Sequence, residues 1–514
     1  MLARRLLIHV GVNTLATLLA FTVGCKAISA DRQIQESLDL VEKQTGHRPE
    51  WEAPWDDAPP PWDGHSTLNV HDAVALALRN NRQLRADLEL IGQANADLVQ
   101  AGLLQNPRFN FMAMFPDGGG RSMLRSSGFP LQPIQDLWLI PARKDVATAQ
   151  LQEAVLRVAD RAVETAAEAK RVYARAQYAQ RAIELLQENM AVVEHSRQLV
   201  EGQQSAGKAT LVEANVPRIR HLRLQSELVT MEAEYATAKR QLLKLMGFAR
   251  AKDAWRVTEI DESGLTIEPA PGEEELLTVA EETRLDLQAA KWTVGAARER
   301  IELMRREGWP EVMVGLGFER APAPPSQNPS VAGRLGNGVA SGLQTGSIEP
   351  DPIEPFGPES RDVEWTVGPM IDFELPIFDQ NQAQVARAYH EYRQRWAEYD
   401  ELWQTVVLNV RETKVMYDQA YRQVDLFRDS ILPEVNRNLE VARQSYGVGR
   451  EQLTIFLQIQ DDQIMTRLSA LSFLRDLLLN RAELERQVGG KLALPSDEPG
   501  IDEPRDDSPS QLGP

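Results

Sequence analysis

The chain has 514 residues, 25% charged and 43% hydrophobic, a composition that excludes a disordered polypeptide. Its 75 acidic side chains outnumber 56 basic ones, for a formal charge of −19, and no basic stripe with interleaved aromatics points to nucleic acid. The single cysteine, Cys25, excludes an internal disulfide.

Arg4 and Arg5 precede an uncharged apolar run, residues 6–23, followed by Gly24 and Cys25. A positive start, an apolar stretch and a small residue at the cut predict a signal peptide over residues 1–24. At about 18 residues the run is also near the lower limit for a membrane anchor. TVGC (22–25) resembles a bacterial lipobox, with Cys25 as the lipidated residue and Thr22 where leucine is usual. Residues 25–65 then read as a lipid-anchored, extended arm, because WEAPWDDAPPPWDGH (51–65) is rich in proline, which blocks helix and central strand alike.

A helix is expected next, capped by Ser66 or Asn69 and running to Gln105, with apolar residues recurring at three and four. Pro107 ends it. RFNFMAMF (108–115) reads as a strand with Phe109, Phe111, Ala113 and Phe115 on one face. The Gly-rich loop 116–128 leads to a Pro-interrupted strand at 129–141. From Ala142 to Gln203 no proline occurs, which predicts a helix of about 60 residues, roughly 90 Å long. No single globular core is that deep, so this helix must lie along neighbours in coiled-coil fashion. GQQSAGK (202–208) is a tight turn, and the helix that follows, Ala209 to Met246, stops at Gly247.

Residues 248–283 form a mixed, acidic connector. After it, residues 284–310 match 81–107 without a gap at a constant offset of 203, pairing Leu84 with Leu287, Gly92 with Gly295 and Pro107 with Pro310. EVMVGLGFE (311–319) is a strand, 320–362 a long Pro/Gly-rich loop, and 363–377 a strand whose odd positions are apolar and even positions mostly polar. A second Pro-free helix runs from Gln380 to Ile431 and kinks at Pro433. YGVGR (446–450) turns it, and the last helix ends near Gly489 and Gly490. The tail, 491–514, is acidic, Pro-rich and expected to be disordered. The chain is therefore two copies of one unit, 66–247 and 284–490: helix, strand, loop, strand, long helix, tight turn, helix.

Four alternating strands could form a small sheet on the helices with its polar face in water. Against this, 363–375 spans about 13 residues, ample for a tilted membrane strand of roughly 9–11. Four strands cannot close around a channel, so a membrane barrel would pool strands from several copies. No catalytic constellation is present. The seven histidines are scattered without zinc-ligand spacing, and no phosphate-binding glycine loop occurs. The methionines recur at helical intervals and read as packing, not as a copper relay. No enzyme, cofactor or metal centre is expected, and the energy for any transport must come from a partner.

The two-fold repeat, DAVALALRNNRQLRA (72–86), AGLLQNPRF (101–109), ELPIFDQNQAQVARA (374–388) and YGVG (446–449) resemble the outer membrane efflux protein family, the TolC-like channels, over about residues 66–490. Cys25, the arm and QPIQDLWLIPARK (132–144) are similar to its lipoprotein members, which serve metal and multidrug pumps. The resemblance implies a mainly α fold with a small β part and a homotrimer. Long antiparallel helical hairpins would form a periplasmic α-barrel, and four strands per protomer would enter one shared outer-membrane β-barrel. It implies a passive channel in the outer membrane of a Gram-negative-type bacterium, taking small molecules or metal ions from an inner-membrane pump and periplasmic adaptor. By match of position, the periplasmic tip turns hold Gly202 and Gly207 in the first half and Tyr446 and Gly449 in the second. The family often places acids just after the turn glycine. Glu213 fits, whereas Ile455 and Gln458 depart, so the expected gate combines Glu213 with Ile455 and Phe456. The bland alternative makes Glu213 a solvated helix acid. Glu364, Asp372 and Glu374 would line the lumen and favour cations, or merely solvate a wet wall. A periplasmic coiled-coil scaffold or adaptor lipoprotein without a pore is the competing reading. It has no use for alternating strands and Gly-rich outer loops.

Overall fold

The computed structural model describes residues 28–49, 62–114, 125–248, 254–260, 268–322, 363–447 and 453–492. The expected signal peptide (1–24), Cys25, Gly449, residues 493–514 of the expected tail and most of both Gly-rich loops lie outside them. Within the expected extended arm, residues Asp31–Thr45 form a helix, α1. The reason is burial: Leu38, Val41 and Thr45, three and four apart, are covered, and Gly46 closes the helix in the left-handed region at φ 72°.

The single helix expected up to Gln105 is two, α2 (Val70–Asn80) and α3 (Arg82–Ala101). Asn69 caps α2 by accepting the Asp72 amide at 2.7 Å. Asn81 leaves helical geometry (φ −61°, ψ 117°), and its side-chain oxygen accepts the amides of Gln83 and Leu84 at 2.9 and 3.2 Å. A residue that caps a following helix competes with continuation of the preceding one. The second half breaks at the same spacing: α6 (Glu273–Thr283) and α7 (Leu285–Glu307) meet at Arg284, with φ −64° and ψ 120°. Here Arg284 grips Asp286 and the Gln487 carbonyl. Helix α6 thus begins inside the segment that reads as a connector in sequence.

Strand β1 is Arg108–Met114 and β2 is Arg125–Pro133, four residues earlier and eight shorter at its end than 129–141. The stretch from Asp136 onward is already helix α4 (Asp136–Ser205), with Pro141 inside it. One missing amide near the start of a 70-residue helix is a small loss. Buried residues on α4 recur at four and three (Val155, Ala159, Ala162, Ala166, Ala169, Tyr173), the seam that long paired helices require. Helix α5 (Leu211–Leu245) follows. Strands β3 (Val312–Pro322) and β4 (Val363–Phe373) precede α8 (Gln382–Leu426), a π-helical turn at Phe427–Ile431, α9 (Leu432–Gly447) and α10 (Leu453–Val488). Pro433 brings no amide, and the π-helical turn Phe427–Ile431 stands just before it. Strand β4 stops at Phe373, short of 377, because Val312 is the last partner of β3 and Pro376 offers no donor.

Contacts divide the chain into two compact units. The helical one comprises Met1–Asp97, Thr148–Gly295 and Gln394–Pro514. One hydrophobic cluster in it joins α4, α6, α8 and α10 through Leu185, Leu276, Val410, Tyr417, Leu471 and Leu484. Each fully buried Leu or Val there contributes about 1.5–3 kcal/mol. The other unit, Leu98–Ala147 and Ala296–Arg393, holds one antiparallel sheet in the order β1-β2-β3-β4. Both passages from strand to helix are pinned. Buried Asp136 accepts the Gln105 amide at 2.6 Å and Arg143 at 3.0 Å, and Asn381, at φ 62°, donates to the Met304 carbonyl at 2.5 Å.

Candidate functional site

Two places gather the residues singled out in sequence: the sheet and the helix tip. In the sheet, register decides which side chains share a face. Phe109 pairs with Pro130, Phe111 with Gly128, Gly128 with Phe318, Phe318 with Val367, and Val314 with Ile371. The alternating apolar positions of β1, β3 and β4 therefore fall on one face, to which β2 adds Gly128 and Pro130, while Phe129 and Leu131 of β2 lie on the other. The shared face is bare: Phe109 is 62% exposed, Trp365 61% and Val367 69%. Gly128 leaves the room that Phe318 fills, since a Cβ there would meet the Phe318 ring at 2.5 Å. Phe109 stacks on the same ring with centroids 6.4 Å apart. Asp372 lies on the opposite face with Glu319 and Thr366, and Leu131 on that face is buried. Glu374 is exposed just beyond the strand, its amide bonded to Glu311. Glu364 belongs to β4, but its side chain is outside the described residues. Strands β1 and β4 are edges without a partner strand among the described residues. Among these residues, too, no helix is long and apolar enough to cross a membrane.

At the tip, α4 ends in a left-handed glycine. Lys208 donates to the Gln203 carbonyl at 2.8 Å and Gly207 to Gln204 at 2.9 Å, with Gly207 at φ 68°. Those two bonds satisfy carbonyls that the helix end would leave open. Thr210 and Glu213 then close a reciprocal cap on α5. The Glu213 amide donates to Thr210 Oγ1 at 3.2 Å, and the Glu213 carboxylate accepts the Thr210 amide at 2.6 Å. The backbone amide and hydroxyl of Thr210 hold this carboxyl below the usual glutamate range. In the second turn, Tyr446 stacks on Phe456 at 5.1 Å with planes 8° apart, and Ile455 is exposed.

Glu213 and Tyr446 meet on one cavity of about 880 Å³ between α4, α5, α9 and α10. Arg220 on its wall is a residue that sequence reasoning passed over. It donates to the Leu457 carbonyl at 2.9 Å and pairs with Asp461, and burial lowers its guanidinium to about 10. It still carries its charge at neutral pH, so α10 is tethered to α5 a few residues from the turn. Among the described residues no group of three or more His, Cys, Asp or Glu side chains could hold a metal ion.

Residues 276–490 match the model of a protein family described as Outer membrane efflux protein. No curated protein sequence matches the chain significantly. Solved structures do. A membrane protein from Pseudomonas aeruginosa is 20% identical, with a TM-score of 0.63, over 86% of this chain and 99% of its own. CusC is 17% identical, with a TM-score of 0.61, over 86% and 99%. The open-state MtrE outer membrane channel of Neisseria gonorrhoeae is 15% identical, with a TM-score of 0.60, over 86% and 98%. At such identities the likeness is one of fold. Residues 276–490 thus carry the sequence pattern of the outer membrane efflux protein family, and the chain folds as the TolC-like channels do.

Proposed function

We propose that this protein is a passive outer-membrane channel of a tripartite efflux system. It takes small molecules or metal ions from an inner-membrane pump and a periplasmic adaptor and releases them outside. The observation that carries this reading is the bare apolar sheet face bounded by two unpaired edges. A sheet folded for water buries such a face, whereas a membrane barrel turns it to lipid and closes its edges on other strands. In a homotrimer, β4 of each copy pairs with β1 of the next, and the 11-residue strands β3 and β4 match a tilted membrane strand of roughly 9–11. Lipidated Cys25 anchors the arm. Asp372 and Glu374, with Glu364, line the water side and favour cations.

Gly207 in the first turn, Gly202 in the last helical turn of α4 before it, Tyr446 near the end of α9 and Gly449 after it form the tip that meets the adaptor, and Glu213, Ile455 and Phe456 close the channel there. Fractionation and planar-bilayer recording test the whole reading. The protein should come from outer membranes as a trimer that conducts ions. Recovery from inner membranes, or as a soluble monomer, would favour the scaffold reading. The gate has its own test in Glu213→Gln, which should lower cation selectivity and raise leak. Unchanged selectivity and leak would remove Glu213 from the gate.

A further inference from the structure

The N-terminal arm lies outside both repeats and bonds to helices of each half. Ser37 of α1 is fully buried and donates to the Val155 carbonyl of α4 at 3.3 Å, and Asn95 of α3 donates to the Ser29 carbonyl at 3.0 Å. At the far end of α1, Gln44 donates to the carbonyl of Thr283, the last residue of α6, at 2.6 Å. The Gln44 carbonyl in turn accepts the Lys491 amide, just past α10, at 3.1 Å. Residues 29–44 thus form a strap from one half to the other.

A histidine sits where the strap is fastened. His47 follows Gly46, and its Nδ1 lies 3.0 Å from the Thr45 carbonyl, which can only accept, so that nitrogen carries the proton of the neutral ring. Its Nε2 is buried and has no hydrogen-bond partner among the described residues. The His71 ring of α2 stands 4.2 Å away, the two planes tilted by 39°. Two ammonium groups act on the same ring, Lys170 from α4 and Lys491 from beyond α10. Lys491 Nζ lies so near Gly46 that a Cβ there would meet it at 2.5 Å. The carboxylates of this region have other partners. Glu485 of α10 accepts Lys170 at 2.5 Å and Arg481 at 3.4 Å, and Asp72 of α2 accepts Asn69 at 2.7 Å. Asp39 and Glu42 of α1 accept Arg48 at 2.6 and 2.8 Å. Burial holds the His47 imidazolium below the usual histidine range; the Thr45 carbonyl opposes this, and the charges of His71, Lys170 and Lys491 add to it.

We propose that His47 and His71 form an acid-released clasp that fastens the N-terminal arm to the helical body. Neutral rings pack against each other at this distance. Protonated rings would be two cations 4.2 Å apart with two more beside them, and His47 would gain a buried Nε2 donor that faces no acceptor. The undocked arm therefore binds a proton more readily than the docked one. Docking is complete above the ordinary histidine range and weakens as pH falls through the lowered value of His47. Leu38 and Val41 are buried and do not titrate, so the middle of α1 stays covered while its last turn lets go. The clasp stands apart from the channel reading. Its consequence is acid control of how firmly the arm binds the ends of α6 and α10 together.

The test is hydrogen exchange on the full-length protein at about pH 7.5 and about pH 5, on either side of the ordinary histidine value, with protection taken relative to intrinsic exchange rates. In wild type the amides of residues 43–47 should lose protection about tenfold in acid, while those of α4 around Val155 should not change. In His47→Gln, whose side-chain amide can keep the Thr45 bond without titrating, the acid loss should vanish. Lys491→Gln takes away one neighbouring cation and should shrink the loss, a response that a merely structural histidine would not give. Equal protection at both pH values in wild type, or an undiminished acid loss in His47→Gln, would overturn the clasp. Should His47→Gln leave the arm unprotected at both pH values, Lys491→Gln decides, and an unchanged loss there would overturn the clasp as well.

Discussion

The Glu213 carboxylate is committed to the first turn of α5, and this separates two roles that one substitution could confuse. Gln at this position can keep the reciprocal cap with Thr210, whereas Ala loses both cap and charge. We expect Glu213→Ala to speed amide exchange at the start of α5 and Glu213→Gln to leave it nearly unchanged. The same carboxyl gives a pH dependence of known sign. Its folded value lies below the ordinary one, so its contribution is complete above the ordinary glutamate range and fades as pH falls through the lowered value. Protection of the amides in that turn, taken relative to their intrinsic exchange rates, should therefore fall in acid, in wild type and not in Glu213→Ala. At Asp136 the stakes are higher because the side chain is fully buried. Asp136→Ala would strip the Gln105 amide and Arg143 of their acceptor and cost about 1–3 kcal/mol, measurable by thermal unfolding. Neither partnership is visible in sequence. Asp136 reads there as part of a weak strand, and its partner Gln105 lies across the first Gly-rich loop.

Among the elements, those ended by glycine were the most legible. Gly207 and Gly247 adopt φ 68° and 76°, the conformation that only glycine enters cheaply. A Cβ at Gly207 would meet nothing within 4 Å, so Gly207→Ala carries the conformational penalty alone, about 1–2 kcal/mol of tip stability by hydrogen exchange. Breaks made by side chains were illegible. The apolar periodicity of α2 runs on into α3, and only the bonds of Asn81 to Gln83 and Leu84 reveal the interruption. Pro141 misled in the opposite direction, since a proline that looks like a breaker sits inside a long helix whose buried seam outweighs one lost bond. Helix α1 hid because its short apolar stripe precedes a Pro-rich stretch that sets the character of the arm.

At the scale of the molecule, alternation in β4 and the offset of 203 between halves carry most of the architecture, since both are patterns along the chain. What they cannot carry is pairing across it. Arg486 of α10 bonds Glu164 of α4 at 2.5 Å and reaches Asp160, and Lys170 meets Glu485 at 2.5 Å. These charges need one another in a partly buried seam, where removal of one partner costs more than the pair contributes. The two faces of the sheet yield a prediction at this scale. Val367→Arg, on the bare face, should weaken membrane insertion by about 2–4 kcal/mol if it lies near the bilayer midplane, and Thr366→Arg, one residue away on the other face, should not. Urea titration of the protein refolded into bilayers would compare them, and equal effects would refute the assignment of faces.

In the proposed homotrimer, the edges of β1 and β4, which have no partner strand among the described residues, also have a consequence for inheritance. A strand that completes its hydrogen bonds only on a neighbouring copy makes each chain hostage to the others. In a barrel closed by three copies, a chain carrying Val367→Arg spoils every assembly it joins. Expressed equally with the intact chain and mixed at random, it would leave only about one barrel in eight free of the variant. If the proposed homotrimer forms, damage to the strands should therefore be dominant, whereas damage that prevents a chain from folding at all should be recessive.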